Sequence, residues 1–544
     1  MKNSKKMLTK LYSVVLALAM IVTSLMVSVP AVEAKPVGIT DVNNYLTINT
    51  GSGLVYTINK KNGDMTSCKY NGIELCGSKP SHINSGLGSA NVTYSKSPSG
   101  ATVVITVVSG GTTHYYVSRY GENVIYMATH ITEEPAIGCL RYIFRGNSSV
   151  LKNVPVESDI RGASGIEGGP DVFSFSNGRT ASKYYGNEQA KDLSIKGVTG
   201  NGVGVYMAYG SRETCIGGPF YRDIQFQSGG DTEVYNVLNH AIGATENYRM
   251  GLYGPYAYVF TNGSKPAIPD YSWMSALNLK GWVSSRGGVA ITGIKGMDSN
   301  YTYTYGFAND QAQYWTTAAA SNGFGKCLNM KPGTYTMTVY KGELAVQTSQ
   351  VTVNANETTM LHTQTISNDP SSKSAIWRIG NWDGTPLEFL NGRNISIMHP
   401  QDVRNANWGP VTYTIGSNWA GQFPAAQFRG ANTPSTIHFT LSSDQASKDH
   451  VFNIGITTAY NNGRPCVTIN GHKLALQGAS NQPKSRSLTV GTYRGNNTTY
   501  TWTIPASYLN SGNNTVSIEP ISGNSDLSKF LSAAFAYDCV ELLN

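Results

Sequence analysis

The run VVITVVSGGTTHYYVSRYGENVIYMATHIT, residues 103–132, decides the fold class. Apolar and polar side chains alternate within it in three successive segments, which are separated by the glycine-containing breaks SGG and YGEN. Alternation with period two places every second side chain on one face of a strand, and short polar breaks with glycine favour tight turns. The run therefore predicts three antiparallel strands joined by hairpins.

The same alternation recurs along the chain, for example in GTYTMTVYKGELAVQTSQVTV at residues 333–353. Long helical periodicity is almost absent after residue 34. Charged residues make up only 14% of the chain, whereas glycine (58) and tyrosine (33) are abundant. This composition is typical of an all-β extracellular protein with polar strand faces and many turns.

The first 34 residues read as a secretory signal rather than as part of the fold. A basic segment is followed by the apolar run LYSVVLALAMIVTSLMVSVP, and Val32-Glu33-Ala34 supplies small residues for cleavage. No later segment is apolar enough to anchor the protein, so we expect a secreted, extracellular product with no membrane attachment after cleavage.

The formal charge of +8 falls to +5 once the four lysines and one glutamate of the signal are removed. The remaining charge is spread along the chain, without a dense basic run, so nucleic acid is not an expected partner. The seven cysteines form no CxxC pair, which argues against a zinc site. Cys68 and Cys76 either close a small loop as a disulfide or, like the others, are buried thiols.

Two composition breaks divide the mature chain. TNGSKPAIPDYS at 261–272 and ISNDPSSKSA at 366–375 are rich in proline, glycine and polar residues. We therefore predict β domains at 35–278, 279–367 and 372–544. The middle one suits a fibronectin type III-like sandwich, and the last suits a jelly roll.

Several blocks then fit one pattern in order and spacing. They are SHINSGLGSA (81–90), MATHITEEPAIGCLRYIFR (127–145), GGPFYRDI (217–224), ENYRMGLYGPY (246–256), AQYWTT (312–317), MKPGTYTMTVYKGELAV (330–346), WDGTP (382–386), MHPQD (398–402), WGPVTYT (408–414) and YDCVELL (537–543). Together they resemble the rhamnogalacturonan endolyases of polysaccharide lyase family four, across essentially the whole mature chain. The resemblance implies a catalytic β-supersandwich, a fibronectin-like module and a carbohydrate-binding-like jelly roll.

The resemblance also implies cleavage of rhamnogalacturonan I, the pectin backbone of alternating rhamnose and galacturonate, by β-elimination. That reaction removes the C5 proton of a galacturonate and expels the oxygen at C4. It needs a base near C5, strong donors on the carboxylate and a group that protonates the leaving oxygen. A pectic polysaccharide is thus the expected partner, bound by a monomer.

The family's neutralising arginines match Arg141 and Arg145 in LRYIFR, which share one face of a strand. Its base matches Lys183 in GRTASKYYG, residues 178–186. Local sequence alone would describe these three as exposed surface charges. Tyr235 matches a substrate-contacting tyrosine, whereas a second such position holds Val237.

The proton donor is where the pattern breaks. The family's histidine position is occupied here by Ile242, and the nearest histidine is His240. Three readings stay open: His240 takes the role in a rebuilt loop, another donor such as a tyrosine or His82 serves, or the protein is a catalytically weak or inactive pectin-binding protein on a lyase scaffold.

Other charged residues are expected to contact the polymer or to support the structure. Glu167 is expected to line the substrate groove, and Arg222 and Asp223 to form a structural ion pair beside it. With lysine as base, catalysis needs no cofactor. In the last domain, Asp538 resembles an aspartate that helps to hold structural calcium in such jelly rolls, and Trp382 and Trp408 either stack on sugars or are buried.

Overall fold

Strands form nearly all of the regular structure in the computed structural model, which describes residues 35–136, 138–167, 171–240, 244–483, 485–522 and 528–544. The signal prediction for residues 1–34 and the position of Ile242 lie outside these ranges. The sheets divide the described strands into three sets, at 38–261, 287–365 and 375–543, called the first, second and third domains below.

The strands of the first domain are numbered in chain order. They are β1 (Gly38–Val42), β2 (Tyr45–Asn49), β3 (Leu54–Asn59), β4 (Met65–Tyr70), β5 (Ile73–Glu74), β6 (His82–Ile83), β7 (Asn91–Lys96), β8 (Thr102–Ser109), β9 (Thr112–Arg119), β10 (Val124–Ile131), β11 (Cys139–Gly146), β12 (Ser164–Gly165), β13 (Val172–Ser174), β14 (Thr180–Ser182), β15 (Ile195–Gly200), β16 (Val203–Tyr209), β17 (Phe226–Ser228), β18 (Thr232–His240) and β19 (Gly251–Thr261).

Residues 103–132 form most of β8 and all of β9 and β10, which pair as two antiparallel hairpins. These strands lie at the centre of a sheet with the order β15-β16-β19-β10-β9-β8-β7. Two further sheets, β1-β2-β3-β4-β5 and β17-β18-β11-β6, complete this part of the fold, and a small hairpin sheet, β12-β13-β14, follows β11.

The core of the first domain fills the space between the large sheet and the two others. Side chains from all three contribute, including Tyr56, Tyr116, Tyr142 and Tyr258, each fully buried. The outer face of the large sheet is covered as well, by the segment around Trp273. Consequently β9, β10 and β19 are buried on both faces, and their polar side chains face inward rather than to solvent.

The second domain is a small sandwich. Its strands are β20 (Gly287–Ile291), β21 (Ile294–Lys295), β22 (Tyr303–Ala308), β23 (Gln313–Thr317), β24 (Gly325–Met330), β25 (Gly333–Lys341), β26 (Leu344–Val353), β27 (Thr358–Leu361) and β28 (Gln364–Thr365). They form the sheets β24-β20-β27, β21-β28 and β23-β22-β25-β26. Its core continues into the third domain through Trp382 and Cys539.

The third domain packs two further sheets face to face. Its strands are β29 (Ala375–Gly380), β30 (Val411–Thr414), β31 (Ala426–Phe428), β32 (Ser435–Leu441), β33 (His450–Tyr460), β34 (Arg464–Ile469), β35 (His472–Lys473), β36 (Thr498–Ile504), β37 (Gly512–Ile521) and β38 (Ala534–Leu543). The orders are β29-β38-β33-β36, with β31 beside β38, and β30-β32-β37-β34-β35.

Helical segments are short. The α-helix α1 is Ser443–Ala446, and the 3₁₀ turns are Val156–Ser158, Ser272–Leu277, Pro370–Ser372, Gly392–Asn394, Ala420–Gln422, Ser487–Thr489, Ala506–Tyr508 and Lys529–Leu531. None of the helices in the described part of the chain has the length and apolar character needed to cross a bilayer. All seven cysteines, Cys68 and Cys76 included, are free thiols.

The buried His114 generates a prediction about acid stability. Its ring is fully enclosed, stacks on Tyr142 and shares a hydrogen bond with Thr129, and burial lowers its pKa to about 3. In the unfolded chain the ordinary value near 6.5 returns. Because the folded state binds this proton less readily than the unfolded chain, the neutral His114 contributes fully to stability above pH 6.5. That contribution is lost as the pH falls from about 6.5 towards 3.

We expect His114→Phe, which keeps the ring but cannot titrate, to lose about 2 kcal/mol less unfolding free energy than the wild type between pH 7 and pH 5. Urea unfolding of both proteins at the two pH values measures this. Equal losses would contradict the assignment. Thr129 keeps the Tyr256 hydroxyl as a partner in the variant.

Candidate active site

Two paired strands build one face of the candidate site. In the register of β11 and β18, Arg141 lies opposite Val237, Ile143 opposite Tyr235, and Arg145 opposite Glu233. Because alternate residues of a strand point to the same side, these side chains share the face that looks away from the core. The structure therefore brings Arg141, Arg145 and Tyr235 together, as the sequence predicts.

A β-bulge adds a histidine to this face. The ladder shifts between Leu140 and Arg141, so that Leu238 has no residue opposite it in the register and Cys139 pairs with His240. Leu238 packs in the core, and the next residue, Asn239, also turns inward to donate to Tyr253. A bulge re-aims the side chains that follow it, and here it carries His240 to the side of Val237.

The Lys183 segment lies on the same face. Tyr184 and Tyr185 pack against Ile143 and Tyr235 in one apolar cluster. The Lys183 ammonium lies 2.8 Å from the Asp171 carboxylate and 5.5 Å from the centre of the Tyr184 ring. The cluster thus holds the predicted base against the strand that carries the arginines.

The buried thiol of Cys139 reports the charges that surround it. Burial, followed by the charge of Asp223, raises its pKa to about 11, and the charges of Arg141 and Lys183 act in the opposite direction. A cation from β11, the candidate base and a carboxylate therefore lie around one point of the sheet.

The two arginines differ in what they already bind. The guanidinium of Arg145 pairs with the Glu233 carboxylate, which also accepts a hydrogen bond from the Tyr235 hydroxyl. Arg141 donates from Nη2 to the hydroxyl of Ser85 at 3.0 Å, a neutral partner. Arg141 is consequently the guanidinium better placed to exchange its partner for a substrate carboxylate.

His82 also shares this face, because it lies opposite Ile143 on β6. Burial, then the charges of Arg145 and Arg141, lowers the pKa of His82 to about 4. Its buried Nε2 has no hydrogen-bond partner among the described residues. The ring is therefore neutral near pH 7 and adds no cation to the site.

His240 is held by Asp223, the carboxylate that was expected to pair with Arg222. Its Nδ1 lies 3.1 Å from Asp223 Oδ1, while Asp223 Oδ2 accepts from the Tyr221 hydroxyl at 2.9 Å. The expected Arg222–Asp223 ion pair is wrong, since the Arg222 guanidinium lies over the Tyr493 ring at 5.3 Å. The imidazole is nearly buried, with 7% of the residue exposed.

Glu167 does not line an open groove, as was expected, but is buried against the third domain. Its carboxylate lies 2.5 Å from His399 Nε2 and 2.7 Å from Arg486 Nη1, both in the third domain, and its side chain is 6% exposed. Two cationic or polar partners and burial leave this carboxylate at the interface between domains rather than in a polymer groove.

The third domain fixes the Lys183 segment from outside. Asp402 Oδ2 accepts from the backbone amide of Thr180 at 2.6 Å, the Tyr185 hydroxyl donates to the carbonyl of Thr489 at 2.6 Å, and the Gly186 amide donates to the carbonyl of Ser396 at 2.9 Å. Gly178, at the start of the segment, has φ +82°, and the space a Cβ would fill is taken by Val403. Only glycine fits there.

Asp538, the expected calcium ligand, lies near the carboxylates of Asp383 and Glu388, whose charges, after burial, raise its pKa. Its carboxylate is buried and accepts from the amides of Asp383 and Gly384 at 3.2 and 2.8 Å. Calcium takes six to eight oxygens, and the described residues contain no group of three or more metal-ligating side chains. Trp382 is buried as well and donates to Glu541, so it offers no sugar platform.

Comparison with known families identifies the group to which the chain belongs. Residues 37–281 match the family described as rhamnogalacturonan lyase B, N-terminal. Residues 285–361 and 375–542 match domain II and domain III of polysaccharide lyase family 4. The chain belongs to polysaccharide lyase family 4. As a member of this family it is a polysaccharide lyase, and the predicted all-β, three-domain class is confirmed.

Curated relatives of this family 4 member cover most of its length. A probable rhamnogalacturonate lyase A of Aspergillus terreus is 41% identical over 94% of this chain and 97% of its own. Rhamnogalacturonate lyase A of Aspergillus aculeatus is 41% identical over 93% and 96%, and that of Emericella nidulans 40% identical over 93% and 95%.

Sequence reasoning missed two carboxylates of this family 4 site. Asp223 was assigned to a structural pair, and Asp171 was not singled out at all. Asp171 could have been found from the hairpin β13–β14, because the register Val172↔Ser182 places its neighbours Asp171 and Lys183 opposite one another. A lysine and an aspartate at such cross-strand positions attract each other.

Because the two arginines have different partners, replacing them should lower the free energy of unfolding by different amounts. We expect Arg145→Met to lower the free energy of unfolding by about 3–5 kcal/mol, because it leaves the Glu233 carboxylate, 9% exposed, without its cation. Arg141→Met loses one hydrogen bond to a neutral hydroxyl and should cost about 1 kcal/mol.

Urea denaturation of the two variants and of the double variant Arg145→Met/Glu233→Gln measures these differences. The double variant should recover part of the loss, since the uncompensated charge is gone. An Arg141 variant as unstable as the Arg145 variant would show that Arg141 too is a structural residue.

Proposed function

We propose that this family 4 member is a secreted, endo-acting rhamnogalacturonan lyase that cleaves rhamnose-(1→4)-galacturonate linkages of the pectin backbone. The observation that carries the proposal is the convergence of Lys183, Arg141 and the His240–Asp223 pair on one face of β11 and β18. The names of the relatives support the polymer, and residues 1–34 have the pattern of a secretory signal.

The reaction needs charge to be neutralised where it develops. Removing the C5 proton of a galacturonate adds negative charge beside its carboxylate, which a guanidinium fork can stabilise through two parallel hydrogen bonds. Arg141 supplies this fork when it leaves Ser85. Arg145, tied to Glu233, adds a fixed positive charge on the same face.

Lys183 takes the C5 proton in this mechanism. The electron pair of the C5–H bond forms the C4=C5 double bond, and the C4–O bond breaks with its electrons on the oxygen that stays with rhamnose. A lysine accepts a proton only as the neutral amine, and the Lys183 nitrogen lies 2.8 Å from the Asp171 carboxylate.

His240 protonates the leaving oxygen. With Nδ1–H donating to Asp223, the second nitrogen is available to carry the transferred proton when the ring is an imidazolium. Nε2 makes no hydrogen bond to the described residues, so a substrate oxygen meets no competing partner there. The arrangement gives base and acid separate carboxylate partners, Asp171 and Asp223.

Lys183→Met tests the base. We expect loss of at least 10²-fold in the formation of unsaturated product, followed by ultraviolet absorbance on purified rhamnogalacturonan I, because no other amine is assigned to C5. Lys191→Met is the matched control. Lys191 lies five residues after the end of the Lys183 segment, forms an ion pair with Asp192 and lies outside the site. Full activity of Lys183→Met would remove the proposed base.

His240→Gln tests the acid and separates the lyase from a pectin-binding protein. We expect product formation to fall by about 10²-fold or more while retention on immobilised rhamnogalacturonan I is unchanged, since glutamine cannot transfer a proton but keeps a polar side chain. Unchanged rates would assign the donor to another group. Wild-type protein that is retained by the polymer without any rise in absorbance would support the binding protein instead.

A further inference from the structure

Two arginines beside the proposed acid lack the anionic partner that a shielded cation usually has. Arg222 belongs to the first domain and Arg494 to the third, and both are half-buried. Neither forms an ion pair with any residue in the described ranges. The Nη1 atom of each is buried and has no hydrogen-bond partner there either. Because a cation away from water costs free energy unless it is paired, this arrangement indicates a place for an anion.

Both arginines line one small cavity between the first and third domains. Tyr184, Asp223 and His240 line it as well, so it adjoins the proposed active site. The free space inside is about 20 Å³, which holds one or two water molecules or a carboxylate group but not a sugar ring.

The charges around the cavity favour an anion. Asp223 is the one carboxylate among the described residues that line it, and its oxygens already contact His240 and the Tyr221 hydroxyl. The buried Glu343 of the second domain acts on both arginines through its charge, but its Oε1 accepts from Tyr493 and Gln189 at 2.8 and 2.6 Å. Two guanidinium groups therefore outweigh the one lining carboxylate.

We propose that Arg222 and Arg494 form a subsite for the carboxylate of a second galacturonate, the one that lies beyond the leaving rhamnose along the polymer. The proposal rests on the proposed function, which places the rhamnose oxygen beside His240. Because the backbone alternates, the next sugar past that rhamnose is again a galacturonate. The size of the cavity admits only its carboxylate group, so the ring stays outside, on the substrate face.

Such a subsite would read the spacing of the polymer. Guanidinium groups bind carboxylates through charge-assisted hydrogen bonds. With Arg141 holding the uronate that reacts, and Arg222 and Arg494 holding the next one, the protein recognises two carboxylates separated by a neutral sugar. The third domain then contributes to substrate binding through Arg494, whether or not it binds sugar by itself.

Replacing Arg494 should weaken the binding of the second uronate alone. Arg494→Gln removes a charge-assisted hydrogen bond, so a ligand that carries this uronate should bind about tenfold less tightly. A ligand that ends at the leaving rhamnose should bind as before. Arg494→Lys keeps the charge but loses the planar fork, and its effect should lie between the two.

The experiment measures dissociation constants by titration calorimetry on the full-length protein carrying Lys183→Met, which keeps the ligand intact. One ligand is a tetrasaccharide of two galacturonate–rhamnose repeats with galacturonate at its non-reducing end, and the other is the trisaccharide that remains when this galacturonate is removed. The ratio of the two constants should be about tenfold or more, and it should fall towards one in Arg494→Gln and in Arg222→Gln.

Arg393→Gln is the matched control, because Arg393 is an exposed arginine of the third domain that does not line the cavity. It makes the same change of charge and should leave the ratio unchanged. Urea unfolding adds a readout that a merely structural arginine would move. Arg494→Gln should not lower the midpoint, since it breaks no ion pair within the described residues.

An equal ratio with and without Arg494→Gln would overturn the proposal. So would a cavity that serves small free anions, seen as an increase in Tm with sodium acetate that Arg494→Gln abolishes while the ratio stays the same. Should Arg494→Gln not fold, the ratio for Arg222→Gln decides. Failure of the proposed function appears instead as ultraviolet-absorbing product formed by Lys183→Met, so the two failures are told apart.

Discussion

The pairing of β11 with β18, with one bulge in its ladder, is the constraint on which the site depends. The uninterrupted part of the register aligns Arg141 and Arg145 with Val237 and Glu233 on one face. Past the bulge the alternation changes phase, and His240 joins that face instead of the core. The extra residue, Leu238, therefore decides whether His240 faces the substrate. In a regular strand without the bulge, the side chain of His240 would point into the core.

Each reacting group of the proposed mechanism has a partner that holds it before substrate arrives. Asp171 contacts Lys183, Asp223 contacts His240, and Ser85 accepts from Arg141. Lys183 and His240, held in this way, need little reorganisation when the polymer binds, because their rotamers are already restricted. The weakest of these partners is the hydroxyl of Ser85, in keeping with a guanidinium that has to be released to grip a carboxylate.

Much of the fold could be predicted, because alternation with period two directly encodes which face of a strand is buried. The run at 103–132 became β8, β9 and β10 for that reason. Alternation does not reveal a second covering layer, so the full burial of β9 and β10 was missed. The arginines and the lysine were found through a family resemblance, whereas the Glu167–Arg486 contact joins residues 319 positions apart and leaves no local pattern in the sequence.

The apolar cluster beneath the Lys183 segment includes Val490 of the third domain beside Tyr185 and Ile143 of the first. The C-terminal module therefore supplies part of the floor on which the catalytic turn rests. A C-terminal sugar-binding-like module would ordinarily be regarded as a separate unit that could be exchanged for another. In this chain such an exchange would remove Val490 from beneath Tyr185 and Ile143, so the shape of the catalytic turn depends on a residue more than 300 positions further along the chain.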